Sequence, residues 1–163
     1  MPSTPRVVYT PQQLADTIGA RNYDDLCTWL HKNVPYKTDR TAADEWKEPE
    51  DTLKDGYGDC EDIASVAREV LRIWGVQDDY ILGVMKVGRN YGHVVCFFRD
   101  VPTDEWRFFS NDDASLHRGG FNLPDLVRSV GSIMRYGSNL EYKLANRDNV
   151  EITKEEEAAY GLV

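Results

Sequence analysis

A change of hydrophobic period near residue 75 constrains the fold of this chain more than any other feature. Over residues 60–74, apolar side chains recur at helical spacing and form a single stripe. Gly75 follows, and glycine readily adopts the left-handed backbone conformation that ends many helices. Beyond it the period becomes two, in runs rich in Val, Ile, Phe and Tyr at residues 80–87, 93–99 and 106–110. The short, turn-like linkers between these runs predict an antiparallel meander, and a helix followed by strands predicts the α+β class.

Weaker signals predict the remaining elements. Thr10 and Pro11 favour a short helix over residues 11–18, and Asn22 can cap a second helix that ends before Pro35. Residues 35–58 carry prolines, glycines and acidic residues with little periodicity, which predicts a long ordered loop. Later segments are expected to form a helix over 123–134, a strand over 140–144 and a short helix after a capping box at Thr153.

The size and composition predict one folded domain. The chain has 163 residues and a mass of 18.6 kDa, with 41% hydrophobic and 29% charged residues. We expect a loose N-terminal arm over residues 1–10, a core over about 11–145 and a C-terminal extension over 146–163.

Charge and cysteine usage argue against several classes of protein. The net charge of −9 disfavours binding to nucleic acid or to anionic lipid. No apolar run is long enough for a membrane span, and the first residues lack the apolar core of a signal peptide. Three cysteines without paired spacing predict free thiols in a reducing compartment. The expectation is therefore a cytoplasmic protein without a nucleic-acid partner or a membrane span.

The segment Gly56-Tyr57-Gly58-Asp59-Cys60-Glu61-Asp62-Ile63-Ala64 carries the clearest chemical signal. Glycines lead a loop into the strong helix, and Cys60 lies at the junction. The N–H groups of a helix N-terminus lower the pKa of a thiol there and can hold a developing oxyanion. The polar flanks of Cys60 predict a reactive thiol, whereas Cys27 and Cys96 lie in apolar segments that are typical of core cysteines.

A reactive thiol needs a base, and a third group has to orient that base. His93 opens a hydrophobic strand after a glycine turn, while His31 lies near a helix end and His117 in a polar loop. Antiparallel pairing would bring the end of the third strand beside the start of the His93 strand. Asn111, Asp112 and Asp113 are the candidates at that end.

These residues resemble the transglutaminase-like cysteine hydrolases, in particular the bacterial transglutaminase-like cysteine proteinases. The resemblance covers about residues 23–113. It rests on these segments: Val34-Pro35-Tyr36-Lys37-Thr38-Asp39, Asp44 to Leu53, Gly58-Asp59-Cys60-Glu61-Asp62-Ile63-Ala64, Gly92-His93-Val94-Val95 and Ser110-Asn111-Asp112.

The resemblance implies a papain-like fold, in which a helix bearing the cysteine packs on an antiparallel sheet. It implies Cys60 as nucleophile and His93 as general base and acid, with backbone N–H groups near Cys60 as the oxyanion hole. Tyr57 and Trp46 are candidates for assisting the oxyanion or the substrate. No organic cofactor is implied.

The third member of the triad departs from the family pattern. Counted from Trp106, the family's acidic residue falls on Ser110. We therefore assign the role to Asn111 or Asp112, with a slight preference for Asn111, because an amide can also orient an imidazole.

The acidic residues beside Cys60 admit two interpretations. Asp59, Glu61 and Asp62 carry the negative charge that is common in the first turn of a helix. Some members of the resembled family bind Ca²⁺ through such residues, and Ca²⁺ prefers carboxylate oxygens. A bound cation would also offset the rise in thiol pKa that neighbouring carboxylates cause.

Three functions remain open from the sequence. The leading hypothesis is a cysteine hydrolase that cleaves a peptide or isopeptide amide through a thioester, with a protein or peptide as substrate. An amine in place of water would make it a transglutaminase. The alternative is a catalytically impaired module that binds peptides or takes part in an assembly. The altered third position of the triad motivates this alternative. A bacterial or phage origin is expected for the chain.

Overall fold

The helices and strands follow one another in the order that the periodicity predicts, with two additions. A computed structural model describes residues 7–37, 47–76, 79–88, 92–110, 116–146, 150–159 and 162. Its elements are α1 (Pro11–Ile18), α2 (Tyr23–Asn33), α3 (Pro49–Asp55), α4 (Cys60–Ile73), β1 (Asp79–Lys86), β2 (Gly92–Asp100), β3 (Glu105–Phe109), β4 (His117–Gly120), α5 (Leu123–Ile133), β5 (Leu140–Ala145) and α6 (Lys154–Ala159).

The described strands form a five-stranded sheet in the order β4-β3-β2-β1-β5, and every neighbouring pair is antiparallel. The predicted meander of β1, β2 and β3 is confirmed. In its register, Val84 lies opposite His93, and Gly83 lies between Val94 on β2 and Lys143 on β5. The start of β2 and the middle of β5 are therefore both neighbours of β1.

Two hydrophobic cores cover the two faces of the sheet. Because strand side chains alternate between faces, Ile81, Cys96 and Phe98 pack with α1, α2 and α4, while Leu82 and Phe97 pack with α5. The helix that begins at Cys60 is thus fixed against one face of the sheet. This arrangement confirms the predicted α+β architecture, with a cysteine-bearing helix packed on a small antiparallel sheet.

The predicted helix over residues 11–18 is confirmed. The side chain of Thr10 accepts a hydrogen bond from the backbone N–H of Gln13, and the side chain of Gln13 accepts one from the backbone N–H of Thr10. The expected role of Asn22 is wrong, because its side chain donates to the carbonyl of Ile18 at the end of α1 instead of capping α2.

Two short elements differ from the sequence expectation. The predicted loop over 35–58 contains α3, which starts at Pro49 and ends at Gly56 with a left-handed backbone (φ 76°). His117 opens β4 instead of lying in a loop, and its ring stacks on Phe108. Pro49 and Gly56 therefore mark the two ends of a short helix, and the glycines at 119 and 120 lie within a short strand. Neither set of residues marks an irregular segment.

The chain on either side of the predicted core packs against it where it is described. Tyr9 lies edge-on to Trp29, with ring centroids 5.8 Å apart. Ile152 and Leu162 belong to the second core. None of the described helices combines the length and the apolar content that crossing a bilayer requires.

Candidate active site

Cys60 is the first residue of α4, and a reciprocal pair of aspartates caps that helix. Asp59 accepts the backbone N–H of Asp62 at 3.1 Å, and Asp62 accepts the backbone N–H of Asp59 at 3.2 Å. The apolar face of α4 buries Ile63, Ala67 and other residues against the sheet. The cap and the packed face together fix the position of the Cys60 backbone.

The loop that leads into Cys60 is held by its own contacts. Gly58 pairs with the segment around Tyr36: the backbone N–H of Lys37 donates to Gly58 at 2.9 Å. A Cβ on Gly58 would lie 2.7 Å from the Cβ of Asp62, so only glycine allows this approach. Lys47 donates to the carbonyl of Tyr57 at 3.2 Å, and its ammonium lies over the Tyr57 ring.

Cys60 and His93 line the same cleft, which has a volume of about 340 Å³. Glu61 lines it beside Cys60, Glu151 lines it beyond β5, and the rest of its surface comes from three neighbouring strands, β2, β1 and β5. The fold therefore places on one cleft the two residues that the resemblance implies as nucleophile and base.

The Cys60 thiol is held in its protonated form by its surroundings. Burial raises its pKa to about 11, and the negative charges of Asp59 and Glu61 act in the same direction. Hydrogen bonds from the backbone N–H groups of Val94 and Glu61 oppose the rise without overcoming it. The N–H groups lower this pKa as expected, but the net shift is upward, because desolvation disfavours the thiolate more than the N–H groups favour it.

The hydrogen bond from Val94 also locates the sulfur. Val94 follows His93 directly in β2, so the thiol contacts the backbone of the strand that carries the candidate base. This contact and the shared cleft place the sulfur beside the start of β2.

The His93 ring is buried and hydrogen-bonded to Ser110. Its Nε2 lies 3.0 Å from the Ser110 Oγ, and the two residues are only 3% and 4% exposed. Ser110 follows the last residue of β3, at the position where the family pattern places its acid. The spacing from Trp106 reaches Ser110, but because Ser110 is not acidic the sequence favoured Asn111 or Asp112 instead. A hydroxyl can accept the N–H of a neutral imidazole, which orients the ring without adding a charge.

Several predicted residues lie outside the site or outside the described residues. Asn111, Asp112 and Trp46 fall outside the described ranges, so those assignments stay predictions. The ammonium groups of Lys37 and Lys47 both lie over the ring of Tyr57, at 4.6 and 4.5 Å from its centroid. Of the described residues, those lining the cleft do not include Tyr57.

The acidic residues beside Cys60 do not converge on a metal site. Both carboxylate oxygens of Asp62 are engaged, one by the backbone N–H of Lys47 and the other by that of Asp59, and the Lys47 ammonium lies 3.8 Å away. Within the described ranges, no group of three or more His, Cys, Asp or Glu residues could hold a metal ion. The described residues alone therefore do not form the predicted calcium site, and no catalytic step below depends on calcium.

The other cysteines behave as predicted for core residues. Cys27 and Cys96 are 2% and 0% exposed, and all three cysteines are free thiols. Burial raises the pKa of Cys96 well above its usual range. Both side chains pack in the core on the α4 side of the sheet.

A family model described as the transglutaminase-like superfamily matches residues 10–110. The chain belongs to the transglutaminase-like superfamily. The match covers more than half of the chain and includes Cys60, His93 and Ser110. No curated protein sequence matches this chain.

Solved structures of Legionella pneumophila LapG show the same fold as this superfamily member. One is 20% identical, with a TM-score of 0.60, and the match covers 91% of this chain and 78% of LapG. A calcium-bound LapG structure is 20% identical, with a TM-score of 0.60 and coverage of 86% and 75%. An EGTA-treated one is 18% identical, with a TM-score of 0.58 and coverage of 87% and 77%.

Proposed function

We propose that this chain is a cysteine hydrolase that cleaves an amide bond in a peptide or protein substrate, with Cys60 as nucleophile and His93 as general base and acid. The observation that carries the proposal is the position of both side chains on one cleft, with the sulfur hydrogen-bonded to the residue after His93. Membership of the transglutaminase-like superfamily supports the same chemistry.

The raised thiol pKa favours a neutral cysteine–histidine pair as the resting state. The Cys60 sulfur attacks the substrate carbonyl carbon while the imidazole of His93 takes the thiol proton. The tetrahedral intermediate collapses, the C–N bond breaks, and His93 returns the proton to the leaving amine. Water then attacks the thioester, His93 takes a proton from that water, and the sulfur leaves and is reprotonated.

Ser110 is the positioning residue in this proposal. In the tautomer whose Nε2–H donates to the Ser110 Oγ, Nδ1 is the ring nitrogen that takes the thiol proton in this mechanism. Ser110 adds no carboxylate that would stabilise an imidazolium, which agrees with a thiol that stays protonated until attack.

The first test is acyl-enzyme formation on Cys60. The chain is mixed with p-nitrophenyl esters of N-acetylated amino acids, and intact-mass and peptide spectra locate the acyl group. Cys60→Ala should remove the adduct, and His93→Gln should slow its formation by about 10²–10⁴-fold. Cys27→Ala is the matched control and should acylate normally. Acylation spread over all three cysteines, or acylation unaffected by His93→Gln, would favour the non-catalytic peptide-binding alternative.

The role of Ser110 has a separate readout. Ser110→Ala should lower acylation, and Ser110→Thr should restore part of it because the hydroxyl remains. Ser110→Asp should move the acid limb of the acylation profile to higher pH, because a carboxylate beside the imidazole favours its protonated form and the general base has to be neutral. A residue needed only for packing would give no such shift in the pH profile.

Two finer points belong to the same assay. Added hydroxylamine competes with water for the thioester, so the ratio of hydroxamate to acid separates transamidation from hydrolysis. Calcium binding stays a prediction for this chain, and calorimetry with CaCl₂ against an EGTA-treated sample tests it directly.

A further inference from the structure

The cleft that holds Cys60 extends well beyond the reacting groups. From His93 at the start of β2 it crosses β1 and reaches β5, where Lys143 and Ala145 line it. Its strand residues include the apolar Ile81, Val94 and Ala145 on the α4 side of the sheet. This continuation is larger than a thiol and an imidazole require, so it has room for part of a substrate.

Gly83 occupies the middle of this surface. In register it lies opposite Val94 on one side and Lys143 on the other, and both of these residues also line the cleft. A Cβ built on Gly83 would have its nearest neighbours, the Lys143 carbonyl oxygen and the Val94 Cγ2, at 3.9 Å. The backbone there accepts any residue, since Gly83 is not among the glycines with positive φ.

Glycine at this point therefore has no explanation in the packing of the protein itself. A glycine inside a strand costs about 0.5–1 kcal/mol relative to alanine. Gly92, across the same strand pair, differs: a Cβ there would lie 2.6 Å from the Val84 carbonyl oxygen. The fold requires Gly92, whereas the missing side chain of Gly83 leaves open space in the cleft.

The charges at the cleft restrict what can fill that space. Glu61 and Glu151 line the cleft with one cation, Lys143, and the whole chain carries a net charge of −9. An anionic group would be repelled, while an uncharged apolar side chain would bury surface against the strand residues.

We propose that Gly83 is a specificity-determining residue whose missing side chain lets the cleft accept an apolar substrate side chain beside the scissile carbonyl. This inference rests on the proposed function, because Cys60 lies in the same cleft as Gly83.

The test compares acylation of Cys60 by the p-nitrophenyl esters of N-acetyl-leucine and N-acetyl-alanine. In Gly83→Val the leucine-to-alanine ratio of kcat/KM should fall about tenfold or more, as expected when a pocket loses room for a few carbon atoms. Gly83→Ala should give a smaller fall. Lys86→Val is the matched control, because Lys86 lies on β1 but is not among the described residues that line the cleft.

Alkylation by iodoacetamide separates a change in the substrate pocket from a change in the reactivity of Cys60. This small reagent needs no side-chain pocket, so Cys60 should alkylate within about twofold of the wild-type rate in each variant, and thermal unfolding should confirm that each variant folds. An unchanged leucine-to-alanine ratio in both folded Gly83 variants would overturn the inference and leave the proposed function standing. If no ester acylates wild-type Cys60, the proposed function fails and the inference fails with it.

Discussion

Removing the charge of Glu61 should make the Cys60 thiol more reactive. The thiol has a pKa of about 11, compared with 9.0 for an ordinary cysteine. At any pH well below both values, this difference leaves about 100-fold less thiolate. Since iodoacetamide reacts with the thiolate, Cys60 in the folded chain should alkylate about 100-fold more slowly than in the unfolded chain at the same pH.

The causes of the raised pKa set the size of the expected change. Burial comes first, and the carboxylates of Asp59 and Glu61 add to it. Glu61→Gln removes one of these charges and keeps the backbone N–H that hydrogen-bonds the sulfur. The pKa should fall, and the alkylation rate at pH 8 should rise, but by less than about tenfold because burial remains.

The assay is alkylation followed by mass spectrometry between pH 7 and 12, with circular dichroism at each pH to verify folding. Glu50→Gln is the matched control: it makes the same change in net charge on the exposed side of α3, and Glu50 does not act on the Cys60 pKa. A wild-type rate that is half-maximal below pH 9 would refute the reasoning. So would a Glu61→Gln rate no higher than that of Glu50→Gln.

Two further substitutions test the framework around the site. Asp62→Ala removes half of the capping box and the acceptor for the Lys47 backbone N–H, so it should cost about 1–3 kcal/mol in urea unfolding, with Asp62→Asn recovering part. Gly92→Ala forces a Cβ toward the Val84 carbonyl oxygen and should cost about 1–3 kcal/mol, whereas Gly83→Ala should be neutral or stabilising. Equal unfolding free energies for the two alanine variants would contradict the packing described for β1 and β2.

Local patterns were sufficient to predict the elements that carry the site. The apolar stripe after Cys60 and the alternation after Gly75 are properties of single segments, and they gave α4 and the meander. Helix α3 was missed because its seven residues are too short for a periodic signal. Strand β4 was missed because His117–Gly120 is glycine-rich and depends on pairing with β3.

The chemistry of the site was less predictable than its position. The direction of the Cys60 pKa depends on how deeply α4 buries the thiol, which no local pattern records. The contact between His93 and Ser110 joins residues 17 positions apart. The spacing from Trp106 indicated Ser110, but the expectation of an acidic residue favoured Asn111 or Asp112 over it. The cleft wall on β5 had no sequence signal, because a short strand reveals neither its partner nor its face.

The order in which the cleft residues are synthesised follows from this topology. Cys60 and His93 leave the ribosome before Lys143 and Glu151, and the strand that carries Lys143 docks on β1 only after α5 has been made. A nascent chain can therefore form the meander while the far wall of its cleft is still missing. The cleft can therefore be complete only after β5 has been synthesised and has paired with β1.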